Sequence, residues 1–100
     1  MATKKNIIKG TTKSGIQFAI DERIRQDARI VRLLTKIQRP GGDDFEKNAA
    51  FFEMMDRVFG SEENVTVFMD EVARVNNGIC STDAMMSELN EIFEALNAKN

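Results

Sequence analysis

SEENVTVFMDEVARVNNGICSTDAMMSELNEIFEAL, residues 61–96, decides how the rest of the chain must fold. Val65, Phe68, Met69, Val72 and Val75 recur at the three-and-four spacing of one helical face, and Met85, Leu89, Ile92, Phe93 and Leu96 repeat that spacing further on. Between them Asn76, Asn77 and Gly78 supply a left-handed stop, Ser81 an N-cap and Asp83 an acid for the first turn of the next helix. Cys80 and Met85 flank that cap where a hydrophobic staple fixes the angle at which the chain enters the helix. The stretch therefore reads as an antiparallel helical hairpin, and each helix carries an apolar face that needs a partner.

The segment before it supplies one partner. Pro40, Gly41 and Gly42 break the chain, Asp43 or Asp44 caps a new helix, and Gly60 stops it after Phe59. Phe45, Ala49, Phe52 and Phe59 fall on one side of this helix, and Phe51, Met54, Met55 and Val58 extend the apolar arc past half the circumference. Two readings fit so wide an arc: a central helix buried on two sides, or a helix that offers Phe51, Met54 and Val58 to another chain. On the second reading those three are more exposed than Phe45, Phe52 and Phe59. Phe52, Phe59, Phe68, Val72, Leu89, Ile92 and Phe93 are expected in the core.

Nearer the N-terminus, a helix begins between Asp21 and Asp27 and ends near Gln38, with Ile24, Ile30, Val31, Leu33, Leu34 and Ile37 as its apolar stripe. Arg25, Arg29, Arg32, Lys36 and Arg39 occupy another face at three-and-four spacing. That basic stripe is a solvated surface, a partner for acidic helices of this chain or of a second copy, or a site for nucleic acid or an acidic partner. Before it, Ile7 and Ile8 run into Gly10, and Ile16, Phe18 and Ile20 alternate after Gly15, which reads as a β-hairpin. A lone two-stranded hairpin is marginal in water, so it must lie on the helices or pair with another subunit. The first six residues are polar and expected to fray, and residues 97–100 form a polar exit.

One hundred residues make one domain: residues 1–20 are tail and hairpin, 21–39 the basic helix, and 43–100 the remaining helical bundle. The fold class is mainly α, an N-terminal β-hairpin followed by a compact bundle of about four helices. The net charge of −2 hides a division, since residues 1–40 carry ten basic and three acidic side chains and residues 41–100 four basic and thirteen acidic. Such asymmetry draws the halves together or offers surfaces of opposite sign, and self-association is expected. Seven Phe and six Met, with no Trp or Tyr, fill the interior.

The residue inventory points away from catalysis. With one cysteine and no histidine there is no disulfide framework, and zinc or haem sites would lack their usual ligands. Cys80 has no histidine base and reads as a small buried hydrophobe. Glu62 with Glu63, and Asp70 with Glu71, project about 100° apart on their helix and do not converge. Asp21 and Glu22, at a strand end, find no nucleophile nearby in sequence, and the glycines form neither a phosphate loop nor a dinucleotide fingerprint. No catalytic residue, cofactor or metal is therefore expected. No stretch reaches the ~20 apolar residues of a membrane span, and the N-terminus does not read as a secretory signal. A DNA-reading helix-turn-helix is disfavoured because the last helix carries Asp83, Glu88, Glu91 and Glu94 along an outer face with no basic residue before Lys99.

The order of these pieces resembles the small tail assembly chaperones of long-tailed bacteriophages and prophages. The resemblance is carried by the hairpin around Gly15 to Ile20 ending in Asp21 and Glu22, and by the charged helix with Leu33 and Leu34. To these it adds the Phe59-Gly60-Ser61-Glu62-Glu63 break and the closing run from Glu91 to Leu96 followed by Lys99 and Asn100. It spans nearly the whole chain, and the strongly basic first helix departs from it. It implies a helical protein of the bacterial host cytoplasm, absent from the mature virion, that binds the tape measure protein while tail tube protein is recruited. On this reading Phe51, Met54 and Val58 hold the client, and Arg25, Arg29, Arg32 and Lys36 guide its approach. The alternative is a small nucleic-acid-binding regulator using the basic face.

Overall fold

The structure, a computed structural model, describes residues 6–98. Strands β1 (Ile7–Thr11) and β2 (Gln17–Asp21) form the hairpin; a 3₁₀ turn (Glu22–Gln26) leads into α1 (Ala28–Gln38). Helices α2 (Asp44–Phe59), α3 (Glu62–Val75) and α4 (Thr82–Ala98) complete the chain, so the fold is the expected hairpin and four helices. The frayed start expected for residues 1–5 and the end of the polar exit, residues 99–100, lie outside the described residues. Asn6 is tied down, its carbonyl accepting from the Glu22 amide at 2.7 Å.

The antiparallel register pairs Ile8 with Ile20 and Gly10 with Phe18. Ile8, Ile16, Phe18 and Ile20 all point to one buried face, which is why the period of two was readable. The Phe18 ring lies over Gly10, and a Cβ there would meet its Cζ at 2.6 Å. The aromatic covers the bare backbone of its cross-strand neighbour.

Every helix begins on a side chain that the sequence offers for the purpose. Asp27 accepts from the Arg29 amide, Asp43 from Phe45, Ser61 from Asn64 and Ser81 from Ala84. Gly60, left-handed at φ 93°, closes α2, a conformation costly for any residue with a Cβ. Asn77 and Gly78 are left-handed after α3, as the stop required. Cys80 Sγ lies 3.9 Å from Met85 Sδ, so the two ends of the staple meet. Cys80 is half-buried, and burial, then the charge of Asp70, pushes its thiol above the ordinary range.

α2 is the central element, packed against α1, α3 and β2. It runs antiparallel to α1: Lys47 Nζ donates to the Arg39 carbonyl at one end, while Asp27 and Arg29 share a groove with Arg57 and Val58 at the other. The core joins the inner face of the hairpin to Ile30 and Leu33 of α1, Phe51, Met54, Met55 and Val58 of α2, Val65, Phe68 and Val72 of α3, and Met85, Leu89, Ile92 and Leu96 of α4.

This packing corrects the expected burial of α2. Phe51, Met54 and Val58 are 6%, 2% and 4% exposed, whereas Phe45 and Phe52 are 78% and 41% exposed. α2 packs against α1, α3 and β2 through the part of its apolar arc that carries Met55, Phe51, Val58 and Met54, all 6% exposed or less. Phe45 and Phe52 stand on the free edge. Phe59 and Phe93, expected in the core, are half-buried, Phe59 by stacking on Phe68 with ring centroids 4.7 Å apart. Val31 of the α1 stripe is exposed, because its neighbours Ile30 and Leu33 take the core positions.

Candidate binding surface

The three residues expected to hold a client are interior, so the exposed apolar surface lies elsewhere. Phe45, Phe52 and Phe59 are seven residues apart on α2, and their burial decreases toward the N-terminal end of the helix, so a Phe seam rises out of the core into solvent. Ala49 is exposed within it, and Glu46 and Glu53 are exposed alongside. A seven-residue apolar repeat is the spacing at which one helix accepts the side chains of another. The sequence carries the signal, since Phe45, Ala49, Phe52 and Phe59 share one side of the helix. What the spacing could not decide was which side of a wide arc faces inward.

The basic residues expected along one helix do not all lie on one, since Arg25 sits on the 3₁₀ turn before the extended Asp27 and Arg39 is the extended C-cap after α1. Arg25 is half-buried and its Nε donates to the Glu22 carbonyl at 3.4 Å. Arg29 lies 2.7 Å from Asp27 in an ion pair. Asp27 and Asp21 play the same part in succession. Each accepts the amide of the arginine two residues on and is clasped by its guanidinium, so a cap holds its own counter-ion. The Arg29 guanidinium, together with the Arg29 amide, lowers Asp27 to about 2. Arg23 lowers Asp21 in the same way. Arg32, Lys36 and Arg39, by contrast, are exposed and form no ion pair among the described residues.

The acids of α4 do not all form the outer face expected of them. Ser14 Oγ donates to Glu88 Oε2 and the Lys13 amide to Glu91 Oε2, so two of the four acids hold the hairpin turn. Asp83 and Glu94 remain exposed. A groove of about 280 Å³ between α1 and α4 is lined by Ile24, Ile30, Leu34, Phe93 and Leu96, with Arg25 and Asn97 at its rim. Among the described residues no three or more Cys, Asp or Glu side chains gather where they could hold a metal ion. No described helix is long and apolar enough to cross a membrane. No protein-family model, no curated protein and no solved structure matches this chain.

Proposed function

We propose that the protein binds an apolar, helical client without catalysing a reaction on it, in the manner of the phage tail assembly chaperones it resembles. The client on this reading is a tape measure protein, kept soluble in the bacterial host cytoplasm while tail tube protein is recruited. The observation that carries the reading is the seam of Phe45 and Phe52 left exposed on a helix otherwise buried on two sides. Large aromatics at seven-residue spacing, rimmed by Glu46 and Glu53, suit a client helix with its own apolar stripe and basic flanks. Phe51, Met54 and Val58 do not hold the client on this reading, since side chains this deep in the core cannot reach one.

The test is capture of the tape measure protein by Phe45→Glu/Phe52→Glu, with circular dichroism and melting used to establish that the variant is folded. Loss of capture by the folded variant supports the reading, and full capture removes α2 from the site. The exposed Arg32, Lys36 and Arg39 support the second reading, a nucleic-acid-binding regulator. Retention of nucleic acid that falls steeply with salt and disappears on substituting these residues would favour it over apolar capture.

A further inference from the structure

We infer that the outer face of the α1–α2 layer is a homodimer interface in which α1 of each copy lies across α2 of the other. On α1, Arg32 and Thr35 are exposed on the side opposite the buried Ile30 and Leu33, with Lys36 exposed next to them and Arg39 exposed at the C-cap just after the helix. On α2, Phe45, Ala49 and Phe52 are exposed on the side opposite the buried Met54 and Val58, with Glu46 and Glu53 beside them. The outer face of the layer therefore carries a basic ridge and, antiparallel to it, an acidic ridge bearing phenylalanines. Within the chain no ion pair among the described residues joins the two ridges. Arg32, Lys36 and Arg39 make no ion pair among the described residues, and Glu53 reaches only Arg57, at 3.7 Å.

A second copy supplies what each ridge lacks. A twofold axis parallel to the helices, lying in the interface, sets each α1 over the other copy's α2. The arginine and lysine heads then meet Glu46 and Glu53 while their aliphatic stems cover Phe45 and Phe52. A twofold axis perpendicular to the helices would stack basic ridge on basic ridge, so charge selects the first arrangement. The contact is isologous and closes at two copies. It stands independently of the client reading, although both use Phe45 and Phe52, so a client and a second copy compete for the seam.

The experiment is sedimentation equilibrium of the full chain and of two charge-reversed variants, Arg32→Glu/Arg39→Glu and Glu46→Arg/Glu53→Arg, each checked for fold by circular dichroism. The wild type is expected to dimerise, and each variant alone to dissociate about tenfold more readily or worse. The equimolar mixture is expected to recover the dimer, because each basic ridge again finds an acidic one. A wild type that stays monomeric, a variant that dimerises as the wild type does, or a mixture that stays monomeric overturns the arrangement. Zero-length cross-linking of isotopically mixed wild-type copies reads the same contact without any substitution. A Lys36–Glu53 link between copies supports it, and a dimer band lacking any link from α1 to the α2 acids overturns it. Failure of client capture leaves these readouts unaffected.

Discussion

Ser14 Oγ donates a 2.9 Å hydrogen bond to Glu88 Oε2, fastening the tip of the hairpin to α4 from the other end of the chain. Glu88 is 7% exposed, and its Oε1 finds no partner among the described residues, so this one hydroxyl carries much of what keeps a buried carboxylate tolerable. Ser14→Ala is expected to cost about 1–3 kcal/mol, the penalty of stripping a partner from a buried polar group. Glu88→Gln keeps an acceptor for Ser14 and should cost less. Urea unfolding of the three proteins checks the order, and equal stability of Ser14→Ala and wild type would mean that water reaches Glu88.

The hairpin makes a second prediction through Gly10. Its substitution by alanine puts a methyl group 2.6 Å from Phe18 Cζ, well inside contact distance, so the ring must move off a strand it now covers. Gly10→Ala should lose about 1–3 kcal/mol through overpacking, despite alanine's lower backbone entropy cost. Gly10→Ala/Phe18→Leu removes the clash and should lose less than the two single changes added together. Thermal melts of the four proteins close the cycle.

Asp27 makes stability depend on pH at the acid end. Its carboxyl is lowered from 3.8 to about 2 in the folded chain, first by the Arg29 guanidinium and then by the Arg29 amide. A carboxyl depressed on folding contributes stability that is fully present above its unfolded value and lost as pH falls through the folded one. The contribution should therefore fade between pH 3.8 and about 2. Asp27→Asn can still accept from the amide but has no charge to lose, so its urea midpoint should fall less steeply over that window than the wild type's. Parallel slopes would show that Asp27 is not the group responsible.

Helix ends were readable because capping is local: Ser61, Ser81, Asp43 and Gly60 each act on an amide or carbonyl within a few positions. The strands were readable because Ile16, Phe18 and Ile20 alternate over a single buried face. The inward side of α2 was not, since its apolar arc exceeds half a turn and the choice between Phe51 and Phe52 is made by where α1 and α3 dock. The Glu88 contact was equally out of reach, as a serine in a turn and an acid 74 positions away share no local pattern.

That reversal on α2 gives the most direct test of the binding surface. If Phe45 stands free, Phe45→Ala removes little packing, and stability should stay within about 0.5 kcal/mol of the wild type. Phe51→Ala empties a core position and should cost about 3–5 kcal/mol, and Met54→Ala about 2–5 kcal/mol. Phe52, half out of the core and edge-on to Phe51 with centroids 5.4 Å apart, should fall between them. Denaturant unfolding ranks the four variants. Binding should rank them in the opposite order among those that fold, with Phe45→Ala weakening client capture although it melts like the parent. A costly Phe45→Ala with a neutral Phe51→Ala would turn α2 over and return Phe51, Met54 and Val58 to the surface.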